Sequence, residues 1–455
     1  MNKFWFLLTL LLLVACGGQA DPTPLPPEAT NTPRPTQDAA GAAAAVTVVA
    51  TAAPTASATP LPEPVAIATA GPTATFTPLP SPTSFPTPPL VRPEIADLTP
   101  AEPVVLGQTA YAASDCSDRY PCNDDAAGWE GRLRVPAGFQ ANYFSRIDGL
   151  PTVITAGPDG LLYVGTMAGE IFTVDSDGQV ELFLSGLLVP TGLAFQPGTG
   201  RLYIASRVVN AEQGEAMVSY LENGQIVPLL TGLPCCYTSY HAANGLSFGP
   251  DGYGYVGIGA RADHGEVLDT AIQDELWPIE ATILRFAPDG SEMEPYAHGL
   301  RNSYDHAWDS QGRLFASDNA PDAQDGWNAP DELHLVVPGA EHGYPWYDCG
   351  LCFKPPADVE VLPPTYEFVP HSSPTGVAVY LGDSWAGYYD SVFVTLWSAF
   401  AGAQKVVHLT PGAAAAGDFL TGLSSPVDVT FGPDGQMYVV DFFTGIIVRV
   451  SAVGS

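Results

Sequence analysis

The chain has 455 residues, with 16 Lys+Arg against 49 Asp+Glu for a formal charge of −33, and 46 Gly with 45 Pro make up a fifth of it. So acidic a chain excludes a general nucleic-acid binder, because a phosphate backbone is held by a Lys/Arg surface, and it excludes docking on anionic lipid through basic patches. Hydrophobic residues at 46% supply a core, so the Gly and Pro content reports a low-complexity segment, many tight turns, or both.

The chain opens MNKFWFLLTLLLLVACGG. Lys3 precedes an apolar run from Phe4 to Ala15, too short to span a bilayer and typical of a secretory signal peptide. The run ends Leu13-Val14-Ala15-Cys16, which resembles the lipobox of bacterial lipoproteins. The resemblance implies cleavage before Cys16 and acylation of its thiol and new amino terminus. It places the protein outside the cytoplasm, anchored to a bacterial membrane in the periplasm or at the cell surface. Several acyl chains anchor stably where one binds only marginally. From Asp21 to Pro100 the composition collapses to Pro, Thr, Ala and Ser, with 19 of the 45 prolines and TPLP at Thr23, Thr59 and Thr77. Such a segment cannot bury enough apolar surface to offset its ordering entropy. It is expected to be a disordered Pro/Thr/Ala-rich linker, at ~3.1 Å per residue a tether of about 200 Å. The expected division is a signal peptide over 1–15, a lipid-anchored stalk over 16–100 and a folded domain over 101–455.

From residue 101 onward there are 13 basic and 43 acidic residues, a balance of −30, which favours solubility and cation uptake. A repeat sets the architecture here: an apolar β-rich run, a Pro-Asp-Gly type of turn, then a second run with an aromatic. It reads TAGPDGLLYVGT from Thr155, LAFQPGTGRLYIAS from Leu193, LSFGPDGYGYVGIG from Leu246, AWDSQGRLFASD from Ala307 and VTFGPDGQMYVVD from Val429, with a further APDGS turn at Ala287. Asp-Gly between β runs signals a hairpin, because the turn needs positive φ and Gly adopts it without strain. About 350 residues at ~40–60 per four-stranded blade give about six blades. The expected fold is an all-β, six-bladed propeller of four-stranded antiparallel blades, closed by Leu133–Ser145 pairing with Ile446–Val450; a two-sheet sandwich would be large at this length. Only Glu266–Leu276 is compatible with a helix. The six cysteines after Cys16 read as disulfides in an exported domain, with Cys116–Cys122, Cys349–Cys352 and a vicinal Cys235–Cys236 as the expected pairing.

Functional residues of a propeller sit on loops at one mouth of its channel. Three irregular segments qualify: Ser239 to Gly245 (SYHAANG), His298 to His306 (HGLRNSYDH), and the acid-rich insertion from Asp318 to Trp346. Together GLRNSYDHAWDSQGRLFASDNAP, PDELHLVVPGAEHGYPW and the upstream HAANGLSFGPDG resemble the soluble glucose/sorbosone dehydrogenase family. Its members are six-bladed propellers that use pyrroloquinoline quinone (PQQ) and calcium. The resemblance covers about Leu133 to Val450. It implies a catalytic histidine at His241, with Arg301 beside it and Asn302, Asn319, Arg261 and His371 around the cofactor. It further implies that Asn319 and the carbonyls of Ala320 and Pro321 face a cofactor calcium. Asp331, Glu332 and the His342 carbonyl are expected to hold a second, structural calcium.

The residue types suit that chemistry. Oxidising an alcohol by hydride transfer needs a base for the hydroxyl proton, which a neutral imidazole supplies near pH 7. A fixed guanidinium suits the negative charge that develops on a quinone oxygen, and calcium takes the hard oxygens an acidic loop offers. Each has a plainer reading: His241 could bond the blade backbone, Arg301 could pair with an acid such as Asp305, and His306 and His264 read as surface or packing residues. The chain also departs from the family, whose later blades supply several Lys/Arg to the tricarboxylate cofactor. After Asn302 only Arg313, Lys354, Lys405 and Arg449 remain, and Leu396-Trp397-Ser398-Ala399-Phe400 and Ser424-Ser425-Pro426 stand where relatives carry arginines. The expected function is PQQ- and calcium-dependent oxidation of a small sugar (aldose) or related alcohol. The alternatives are a catalytically degenerate propeller that binds a sugar or other ligand, and a calcium-dependent lactonase-like hydrolase.

Overall fold

Pro-Asp-Gly turns fold back strand pairs of blades 1, 3 and 6. In the computed structural model, which describes residues 116–453 apart from 118, 211–213, 237–240, 264–278, 323–328, 346–359, 399–401 and 414, Gly160, Gly252, Gly290 and Gly435 hold φ of 88°, 81°, 73° and 74°. In three of these turns the Asp also clasps the tyrosine four residues on. Tyr163 donates to Asp159 at 2.8 Å, Tyr255 to Asp251 at 2.8 Å and Tyr438 to Asp434 at 2.7 Å. The aromatic of the repeat is thus tied to its own turn while its ring enters the core.

The described strands form six four-stranded antiparallel sheets, each built from strands consecutive in the chain except the last. Their innermost strands, in blade order, are Pro151–Ala156, Gly192–Phe195, Ala243–Phe248, His306–Trp308, Pro374–Val379 and Pro426–Phe431. This is the expected six-bladed propeller and not a sandwich. The strand Phe139–Arg146 adds to the outer edge of blade 6, with Asn142 opposite Arg449 and Tyr143 opposite Val448, so the first strand closes the ring on the last. It begins six residues later than expected: Arg134 makes only an isolated bridge to Thr421, and Gly138 turns the chain at φ 93°.

Ahead of that strand the structure adds an element the sequence did not announce, the helix Ala126–Arg132. Asp125 caps it by accepting from the Gly128 N–H at 2.9 Å, satisfying one of the orphan donors of a helix start. Its Trp129 is fully buried among Ala378, Trp385, Phe393 and Phe419 of blade 5 and Val439 and Val448 of blade 6. The Cys116–Cys122 disulfide ties the segment leading into it, and the vicinal Cys235–Cys236 disulfide is also formed. Cys349–Cys352, the helix-compatible Glu266–Leu276, His264, and the expected signal peptide and stalk lie outside the described residues.

Apolar clusters fill the spaces between successive blades. At the axis a cavity of about 480 Å3 is lined by all six innermost strands and opens toward Tyr380, Gly382, Pro433 and Gly435. Those turns follow the inner strands, whereas His241 and Arg301 precede them, so the cavity lies at the opposite mouth from the candidate catalytic residues. Asp305 and Asp428 face it, accepting from the N–H groups of Val377 and Ile154. Burial pushes the Asp305 carboxyl up to about 7, and burial together with Asp305 pushes Asp428 up.

Candidate active site

The mouth at the start of the inner strands gathers the candidates from blades 2 to 5. His241 leads into the inner strand of blade 3 and is 3% exposed. Its Nδ1 lies 2.8 Å from the Ala260 carbonyl; a carbonyl only accepts, so Nδ1 carries the proton and Nε2 the lone pair that a general base needs. Burial, then the charge of Arg301 and more weakly that of Arg207, hold the ring well below the ordinary imidazole range. The histidine therefore stays neutral. Gly259 makes room for this arrangement: a Cβ there would stand 2.7 Å from Asn302 Oδ1 and 2.9 Å from His241 Cα. Asn302 in turn accepts from Asn244 at 3.1 Å.

Arg301 is anchored on all sides. Its Nε donates to the Asp263 carbonyl at 2.9 Å, its Nη1 to the carbonyls of Asn319 at 2.8 Å and Ala320 at 3.0 Å, and its Nη2 to the Asp263 carboxylate. Arg301 is thus paired with an acid, as its plainer reading had it, but the acid is Asp263 and not Asp305. The chain turns into the inner strand of blade 4 after Tyr304, which carries Asp305 into the channel, while Asp263 on blade 3 closes on the guanidinium. Asp318 fixes the same segment by accepting from the N–H groups of Arg301 at 2.9 Å and Asn302 at 2.7 Å. Arg261 is likewise buried and paired with Glu280 at 2.6 Å. His371 adopts φ 61° and stands close enough to Asp331 to lower its carboxyl, against the larger upward push of burial. His306 is a packing residue, as expected; its Nε2 bonds the Tyr255 carbonyl at 3.2 Å and burial lowers it to about 4.

Two features escaped the sequence reading. Arg207, 1% exposed on the strand Leu202–Val209, adds a second guanidinium near His241 and bonds Asn210 at 2.7 Å. Its only trace in the sequence is a cation inside the apolar run LYIASRVV. Trp397, Phe442 and Phe443 pack ring to ring with centroids 5.0–5.9 Å apart, and Phe443 stays 41% exposed. That aromatic face belongs to loops of blades 5 and 6 that start at the same mouth, and it suits the apolar face of a sugar ring.

An anionic quinone would find cations at blades 2 to 4, where Arg301 and Arg207 act on His241, although Arg301 is paired with Asp263 and Arg261 with Glu280. Blades 5 and 6 turn serines toward that mouth, Ser372, Ser398, Ser424 and Ser425, all buried. The described late cations are engaged elsewhere: Arg313 with Asp309, Lys405 with Asp418, and Arg449 stacked on Phe144. The carbonyls of Asn319 and Ala320 are hard oxygens of the kind calcium takes, but both accept from the Arg301 guanidinium, so an ion there would share them with that cation.

The side chains expected to hold a second calcium have partners within the protein. Asp331 accepts from the N–H groups of Ala320 at 2.9 Å and Ser373 at 2.8 Å and from the Ser372 hydroxyl at 3.2 Å, so it clamps two loops together. Glu332 turns instead to His334, 2.9 Å away. Among the described residues, the ligand atoms brought within 4.8 Å of one another belong to Asp318, Glu332 and His334. The ring of His342 lies against that of His334, centroids 4.9 Å apart.

The model of the glucose/sorbosone dehydrogenase family matches residues 130–449. Among solved structures, the PQQ-bound form of an aldose sugar dehydrogenase from Streptomyces coelicolor is 21% identical and covers 70% of this chain and 99% of that one, with a TM-score of 0.52. The soluble aldose sugar dehydrogenase from Escherichia coli in its apo form is 16% identical over 69% of this chain and 99% of that one, with a TM-score of 0.55. An uncharacterized protein from Borreliella burgdorferi is 23% identical over 276 residues, which are 56% of this chain and 69% of that protein. At such identities the solved structures carry the fold and the family model carries the kinship: this chain belongs to the glucose/sorbosone dehydrogenase family.

Proposed function

We propose that the protein is an exported, lipid-anchored oxidoreductase that oxidises a sugar (aldose) or related alcohol using PQQ and calcium. The observation that carries this reading is the shared mouth of His241 and Arg301, with the imidazole held neutral by burial and by the adjacent guanidinium. Bound PQQ would supply the quinone that accepts the hydride. His241 Nε2 takes the substrate hydroxyl proton, and the Ala260 carbonyl keeps that nitrogen unprotonated. Arg301, braced by Asp263 and Asp318, would supply positive charge already in place for the quinone oxygen. Arg207 would hold a carboxylate of the cofactor, the carbonyls of Asn319 to Pro321 would hold the calcium, and Trp397 with Phe443 would seat the sugar ring.

The test is dye reduction by the purified protein reloaded with PQQ and calcium against a panel of aldoses and alcohols. Sugar-dependent reduction supports the reading, and none with any substrate overturns it. The buried serines of blades 5 and 6 favour one second reading, a propeller that binds a sugar without oxidising it; binding without reduction would establish it. Anchoring rests on Cys16 after its apolar run. Cys16→Ser should move the protein from the membrane fraction to the soluble fraction, and an unchanged distribution would contradict the anchor.

A further inference from the structure

We infer that Asp318, Glu332 and His334 form a site for one borderline divalent ion of the Zn2+ kind, in place of the structural calcium that the family resemblance implies at Glu332. Asp318 ends the strand Leu314–Asp318 and lies directly across the ladder from Glu332, the first residue of Glu332–Val336. His334 is two residues on and so points to the same face as Glu332. The three offer one ligand atom each within 4.8 Å of one another. Asp318 and His334 are buried at 3% and 0% exposure, and the Glu332 side chain is 14% exposed.

The donor chemistry selects the ion. Calcium takes six to eight hard oxygens and has little use for imidazole, whereas one imidazole with two carboxylates is a set that Zn2+ and Co2+ accept.

Asp331 and Glu367 stand near enough to Glu332 to repel its charge, a surplus of negative charge that a divalent ion relieves. Because Asp318 also holds the N–H groups of Arg301 and Asn302, an ion here would brace the segment that carries Arg301.

The experiment uses the full-length protein stripped with a chelator and then titrated with Zn2+, Co2+ or Ca2+, read by metal content, cobalt d–d absorption and thermal midpoint. One Zn2+ or Co2+ per chain is expected, resisting equimolar Ca2+, with a cobalt spectrum of a nitrogen-containing site. His334→Asn removes a direct ligand and should weaken Zn2+ binding by more than the roughly 10–100-fold that loss of an outer-shell partner costs, while far-UV circular dichroism stays the same. Displacement of Zn2+ by equimolar Ca2+, or full Zn2+ retention by His334→Asn, would overturn the assignment. If that variant does not fold, the wild-type competition and Glu332→Gln decide by the same criteria. None of these readouts involves PQQ or turnover, so failure here leaves the proposed oxidation standing, and the reverse holds too.

Discussion

A missing side chain does as much at the mouth as the ones present. Gly259 lets the end of its strand pass against His241 and Asn302, where a methyl group would meet Asn302 Oδ1 at 2.7 Å and His241 Cα at 2.9 Å. Contacts that short force the neighbours to move, and displacing a catalytic group by about 1 Å costs about a hundredfold in rate. Gly259→Ala is therefore expected to lower kcat for sugar-dependent dye reduction by about that factor while far-UV circular dichroism is retained; an unchanged kcat would show that His241 tolerates the shift or does no chemistry. His241, Arg301 and Asn302 were legible in the sequence because they lie inside contiguous motifs. Arg207 was not, since it comes from another blade and no motif surrounds it. Which acid pairs with Arg301 was hidden for a related reason. Asp305 is four residues away in the chain, but the turn into the inner strand separates it, and Asp263 reaches Arg301 only through the packing of blade 3 against blade 4.

At the scale of the element, the blade is a turn with a built-in clasp. Asp251 accepts from the Tyr255 hydroxyl at 2.8 Å, from the Tyr253 N–H at 3.1 Å and from Arg285 at 2.9 Å, and Arg285 in turn reaches Glu294 on the outermost strand. One carboxylate thus ties the turn to the second and third strands of blade 3. Tyr255→Phe keeps the ring, 2% exposed, and deletes only the hydroxyl, at a cost of about 1.5–3 kcal/mol for a hydrogen bond to a charged acceptor. Chemical denaturation should show that loss with an unchanged slope; no loss would mean that the clasp is decorative. The turns were readable because Asp-Gly has a backbone requirement that only the local sequence can meet. The helix Ala126–Arg132 was not, because seven residues show no 3.6-residue period and its stability comes from Trp129 seated between blades 5 and 6.

For the whole molecule, ring closure and a buried acid pair set the terms. The first strand completes blade 6, so the domain is fastened by its own ends, and this much followed from matching the apolar runs at the two ends of the domain. The channel acids could not be foreseen, since Asp305 and Asp428 are 123 positions apart in the chain and meet only when the ring closes. An unfolded aspartate titrates at about 3.9, and Asp305 is pushed up to about 7 by burial. A carboxyl raised in the folded state contributes its stability in full below about pH 4 and loses it as pH rises through about 7. Asp305→Asn removes that loss. The thermal midpoint of the variant relative to the wild type should therefore rise between pH 5 and pH 8. The buried histidines, such as His306, act in the opposite direction but are common to both proteins and cancel. Parallel curves would contradict the shifted carboxyl.

The acidity that first served to exclude nucleic acid also frames the main claim, since a −30 domain must gather its few guanidiniums at one mouth to hold a tricarboxylate. The most direct measurement is an anaerobic single turnover in which wild-type protein and His241→Asn, each loaded with PQQ and calcium, are mixed with an aldose while the quinone absorbance is followed. The wild type should bind the quinone and bleach it on mixing. His241→Asn should bind it equally and bleach it about 10²–10⁴-fold more slowly, the usual worth of a general base. Failure of the wild type to bind PQQ, or equal bleaching by both proteins, would contradict the account.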